Sequence, residues 1–176
     1  MLAVLTAADQ VGLALVPADP AVAADADPLA VPVAALDQAQ RARLLARIDA
    51  PPTERARPLY DVLAAIYTTM TDRYDTSRSN VIVAVVSGPN TDDAPGDDDA
   101  QLTGLVGELR VGASGANARP VHVVPIVLGP RSDVLASMRA VASATGNRAI
   151  AAAAPADAAR ATADALRTDA SRAGTP

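Results

Sequence analysis

Cysteine, lysine, phenylalanine and tryptophan are all missing from this 176-residue chain. Without cysteine there can be no disulfide, no zinc-thiolate centre and no cysteine nucleophile. Without Phe or Trp, and with only three Tyr, a chain that is 50% hydrophobic must build its core from small aliphatic groups, chiefly Ala and Val. All 15 basic residues are Arg. Together with the Ala, Asp and Pro excess this reads as a bias of the whole coding sequence, so Arg counts carry little functional weight. A net charge of -5 without a basic cluster argues against nucleic acid, because phosphate binding needs clustered cations that release counterions. No apolar run reaches the roughly 18 residues of a membrane span. The opening MLAVLTAADQ lacks a basic n-region and is interrupted by Asp9, so no signal peptide is expected. A cytoplasmic chain is therefore expected, or an envelope or extracytoplasmic one if this is a fragment of a longer exported protein.

The length suits one domain, expected over residues 1–170 with a tail at 171–176. Val11 to Val16 is a short apolar run ended by Pro17, and Leu29 to Val33 is a second, which Pro32 demotes to an edge. From Asp37, a good N-cap, the spacing of Arg41, Leu44, Leu45 and Ile48 predicts a helix stopped by Pro51-Pro52. A second helix follows Pro58, with Leu59, Val62, Leu63, Ile66, Tyr67, Met70 and Tyr74 on one face. Its three tyrosines, Tyr60, Tyr67 and Tyr74, are spaced by seven, a pattern of core packing with hydroxyls at the rim.

Val81 to Val86 is apolar without alternation, as in a parallel strand buried on both faces. Leu102, Leu105, Val106 and Leu109 mark the next helix. Val121 to Leu128 is a third strong strand, in which Pro125 predicts a bulge or one-sided pairing. Ser132 or Asp133 opens a helix that Gly146 closes, residues 148–152 form a weak strand, and 156–170 a final Ala-rich helix. The alternation predicts an α/β fold, a doubly wound, mostly parallel sheet with helices on both faces. There is no internal repeat.

In this order, the stretches DQVGLALV, LDQAQRARLLARIDA, RPLYDVLAAIYTTMTDRYD, NVIVAVVSGPN and RPVHVVPIVLGPRSDVLASMRAVASATGNRAI resemble a von Willebrand factor type A domain of the Ala-rich bacterial kind. PLYDVLAAIY followed by NVIVAVVSG is the most specific part of the likeness. The resemblance implies a metal-ion-dependent adhesion site on loops at the strand tops, with Mg²⁺ completed by a partner's carboxylate. Here that site is degenerate. The Asp-x-Ser-x-Ser motif and the first strand that carries it have no counterpart, so MLAVLTAADQ would be the end of the helix after that strand. Arg57 stands where a Thr ligand is expected, and Ser87 where an Asp is. A guanidinium repels a cation and a lone hydroxyl is too weak for one, so neither metal nor other cofactor is expected. The absent first strand would leave the strands on either side of it with unpaired edges, predicting self-association or strand donation.

The remaining features have plain readings. Asn90 to Asp99 carries five Asp but lacks the alternating oxygens and closing Glu of an EF-hand, so it reads as a solvated acidic loop. His122, the only histidine, reads as a packed or rim residue. Gly104, Gly107, Gly112 and Gly115 form no dinucleotide fingerprint. Gly88-Pro89 and Gly129-Pro130 follow strands, where open parallel sheets place a crevice. The candidate binding residues are thus Arg57, Ser87, Gly88, Asn90 and Pro130, with a protein as partner and no catalytic residue. The alternatives are a hydrolase using Ser87, although VVSGPN lacks the Gly-x-Ser-x-Gly elbow, and an inactive fragment of a solute-binding or membrane-anchored protein.

Overall fold

The computed structural model describes residues 5–14, 29–49, 58–90, 97–114, 118–129 and 131–173. Its elements follow the expected order: β1 (Gln10–Leu13), β2 (Val31–Ala35), α1 (Gln38–Asp49), α2 (Leu59–Asp72), β3 (Val81–Val86), α3 (Asp98–Ala113), β4 (His122–Leu128), α4 (Ser132–Ala144), β5 (Ile150–Ala152) and α5 (Pro155–Ala173). They do not make one sheet. β3, β4 and β5 pair in parallel in that order, and β1 and β2 form a separate antiparallel pair. The architecture is therefore mixed α/β, with helices on both faces of a three-stranded parallel sheet.

Period-two alternation decides which helices cover which face. Ile82, Val86, Val123 and Val127 join the main core with α2, α3 and α4, which includes Leu63, Leu109 and Met138. Val83, Ile126 and Leu128 point the other way, onto α5, where Ala158 and Ala161 meet them. β4 is the central strand, buried on both sides from Val123 to Val127, as its apolar run after His122 requires.

Pro125 sits opposite Ala84 without a register shift, so there is no bulge. The backbone N–H of His122 donates to the carbonyl of Asn80 at 2.8 Å. Alternation then turns residues 122, 124, 126 and 128 of β4 toward β3, and Pro125 toward β5. Pairing with β5 begins only at Ile126. The donor that proline lacks thus falls where no partner strand exists, which is the one-sided pairing anticipated. Gly146, with φ of +73°, closes α4 as expected. Asn147 N–H reaches the carbonyl of Ala142 and Gly146 N–H that of Ser143, the Schellman arrangement.

Three local expectations need correction. Residues 5–9 are not helical; the described part is a turn in which the Asp9 carboxylate accepts from the backbone and hydroxyl of Thr6. In α1, Asp37 does cap the helix through the N–H of Gln40 at 2.7 Å, but the apolar stripe is only partly buried. Leu44 is buried, whereas Leu45 and Ile48 are about half exposed. The other buried position belongs to Gln40, whose amide donates to the carbonyls of Val11 and Pro32 at 2.8 Å each, stitching α1 to both short strands. Tyr60 and Tyr67 lie deeper than rim residues, at 6% and 5% exposure, and burial raises both phenols above their ordinary range.

Candidate functional site

The C-terminal ends of β3 and β4, with the first turns of α2, α3 and α4, form one rim of the parallel sheet. Three of the sequence-derived candidates are described there. Ser87 is exposed just past β3, Gly88 is half-buried, and Asn90 is buried at 7%. Arg57 and Pro130 lie outside the described residues, as do Asp92 and Asp93 of the acidic loop.

Asn90 is fully engaged. α2 starts at Pro58, which offers no side-chain cap. The Asn90 Oδ1 substitutes for one by accepting the N–H of Tyr60 at 3.3 Å. Its Nδ2 donates to Asp98 Oδ1 at 2.6 Å and to Gln101 Oε1 at 3.1 Å, and Gln101 in turn donates to Asp97 Oδ1 at 2.9 Å. One amide therefore ties the end of β3 to the first turns of α2 and α3. The Tyr60 ring extends the tie to α4: its hydroxyl bonds Ser137, while burial first, and then the Asp98 and Asp99 carboxylates, disfavour the phenolate.

At the head of α4, the Arg131 guanidinium meets the Asp133 carboxylate at 2.9 and 3.3 Å. That pairing, helped by the N–H of Val134, holds the Asp133 carboxyl down at about 2. Because the folded value is the depressed one, the pair contributes at neutral pH and is lost only as pH falls through that value. Both side chains are exposed, so the contribution is small. The rest of the described rim is acidic, with Asp97 half-buried and Asp98 and Asp99 exposed at the start of α3.

His122 is at the opposite end of the sheet. It pairs in register with Val81, the first residue of β3, and its Nδ1 lies 3.1 Å from the Thr145 carbonyl and 3.0 Å from the Asn147 amide. Among the described residues no group of three or more His, Asp or Glu gathers as a metal-ligand set. A cleft of about 420 Å³ away from the rim, between α2 and α3, was not apparent from sequence; it is lined by Tyr67, Thr68, Thr71, Asp72, Glu108, Val111 and Gly112. Gly112 is required there, because a Cβ would come within 2.9 Å of the Tyr67 ring, whose hydroxyl donates to the Leu109 carbonyl at 3.3 Å. No described helix is long and apolar enough to cross a membrane.

No protein-family model matches the chain, and no curated protein or solved structure matches it either.

Proposed function

We propose that this chain is a non-catalytic protein-interaction module of the von Willebrand type A kind, binding its partner through the loops at the C-terminal ends of β3 and β4 without a divalent ion. The observation that carries this reading is the separation of the only histidine from Ser87, the hydroxyl that directly follows β3. Ser87 lies six residues beyond Val81, and Val81 is level with His122. Six steps of about 3.3 Å put Ser87 roughly 20 Å from the imidazole along the strands. A serine nucleophile needs a base within hydrogen-bond reach, so that pair supports no acyl transfer. The exposed, acidic rim around Ser87, on a frame tied together by Asn90 and Tyr60, suits instead a rigid docking surface, and one that favours a basic partner.

A fluorophosphonate serine probe separates this reading from a hydrolase. Ser87 remains unlabelled, and the wild-type chain and Ser87→Ala give the same background; labelling confined to Ser87 would restore the enzyme reading. Metal independence has its own check. Titration calorimetry with millimolar Mg²⁺, Mn²⁺ or Ca²⁺ gives no saturable heat and leaves the unfolding temperature unchanged, since Mg²⁺ binding requires at least one well-placed carboxylate to displace tightly held water. A one-site isotherm abolished by Ser87→Ala would overturn the metal-free mode.

A further inference from the structure

We propose that β3 is the seam of a homodimer, in which the outer edges of two β3 strands pair antiparallel and join the two three-stranded sheets into one of six strands. β3 bonds to β4 on one side, and among the described residues no strand lies on the other. Since the Asn80 carbonyl faces β4, alternation turns the N–H and C=O groups of Ile82, Ala84 and Val86 inward and those of Val81, Val83 and Val85 outward. Over residues 81–86 the strand has no charge, proline or glycine, and its register with β4 is unbroken. These are the devices by which edge strands are kept from pairing, and β3 has none of them.

The occupant is specified by the strand itself. Two outward-facing rows can pair antiparallel only if residues of like parity stand opposite, because only then do both sets of donors face the seam and both sheets keep the same sides. Placing the two-fold axis at Ala84 satisfies this. It sets Val83 opposite Val85 in hydrogen-bonded pairs, Ile82 opposite Val86, and Ala84 opposite itself at a close, non-hydrogen-bonded position where a small side chain fits. Every cross-strand pair is then apolar. Val85, at 50% exposure one of the few large apolar side chains left open, is covered by the second copy's Val83 on the face that α5 only partly shields. Charge agrees with the antiparallel sense. The N-terminal end of β3 carries Arg73, Arg78 and Arg119 against Asp72 and Asp75, with Arg78 paired to Asp75 at 3.0 Å, and its C-terminal end leads to Asp97, Asp98 and Asp99, so an end with an excess of arginine meets the other copy's acidic one. A two-fold seam of this kind is isologous and closes at two copies, whereas an unmatched edge would propagate.

Analytical ultracentrifugation of the full chain reads the outcome directly. A species of twice 17.8 kDa dominates at micromolar concentration. Val85→Lys, which puts a charge on a half-exposed edge position, weakens dimerisation at least about 100-fold while leaving the circular dichroism spectrum and the low-concentration unfolding temperature in place. Register has an independent readout because the chain has no cysteine. Ala84→Cys brings two Cα atoms to about 4.5 Å across the axis and forms an inter-chain disulfide on mild oxidation, whereas Val81→Cys, remote from its own copy, does not. A monomer at all concentrations overturns the proposal, as does a dimer indifferent to Val85→Lys. So does a monomer that takes up an extended apolar peptide at β3, which would give the edge to a different occupant.

Discussion

Met138→Ala lowers the unfolding free energy by about 2–5 kcal/mol, a large part of the 5–15 kcal/mol available to a domain of this size. Met138 is 1% exposed and sits in the cluster where α4 meets α2, α3 and the sheet. Most of its neighbours are Val, Leu and Ala, because the chain has no Phe or Trp to fill volume. Small, branched side chains cannot reach into the space a truncated methionine leaves, so most of the cavity persists. The unfolding temperature falls by roughly 5–15 °C. Met138→Leu, nearly equal in volume, costs less than about 1.5 kcal/mol, and Val111→Ala, at a position 77% exposed, stays within about 0.5 kcal/mol. Thermal unfolding of the three variants checks the order; an alanine variant as stable as the leucine one would mean that α4 can collapse onto the sheet.

Asn90→Ala is the second large effect, about 2–3 kcal/mol, and it arises from hydrogen bonds alone. The substitution uncaps α2 and withdraws the donor shared by Asp98 and Gln101, cutting the tie between the first turns of α2 and α3. Asn90→Asp is more informative. It keeps an acceptor for the Tyr60 N–H but faces Asp98 with a second carboxylate where a 2.6 Å donor stood. Below the ordinary carboxylate range of about 4 the introduced carboxyl carries a proton and can donate to Asp98; above it the introduced charge repels its neighbour. Stability of Asn90→Asp relative to wild type therefore falls as pH rises from 3 to 7, and urea denaturation at the two values measures the difference. A pH-independent gap would mean that the amide donor is not what binds α3 to the rim.

Much of this was legible in the residues, and the parts that were not share a cause. Val81–Val86 and Val123–Leu128 are unbroken apolar runs followed closely by Gly-Pro, a local pattern with one good solution, and Gly146 ends α4 through a conformation only glycine adopts easily. The order of elements follows from such local signals. Partnership does not. β1 and β2 are short apolar runs like those of other sheet strands, yet they pair with each other apart from β3, a choice made by α1 and by Gln40, whose amide satisfies a carbonyl on each. A glutamine among exposed residues of a helix offers no hint that it will be buried and that Leu45 and Ile48 will not. The rim shows the same split. Strand ends placed Ser87, Gly88 and Asn90 at the top of the sheet, but that Asn90 caps a helix starting 31 residues earlier depends on two loops meeting in space.

The two faces of the parallel sheet are built unequally, and this sets how the molecule breathes. One side carries a broad cluster of Tyr, Leu, Met and Val drawn from three helices. The other rests on Ile126, Ala152 and Ala158, with α5 contributing mainly methyl groups to a three-residue β5 that meets β4 only beyond Pro125. Opening α5 and β5 together breaks three strand pairings and little apolar contact, whereas separating β3 from β4 dismantles the whole first cluster. Amide protons of α5 and β5 should thus exchange with solvent through a partial opening well below the global unfolding energy, while those between β3 and β4 wait for complete unfolding. Among the described elements, a protease that acts on such partial openings would cut the carboxyl-terminal helix first, and what remained would still hold the rim around Asn90.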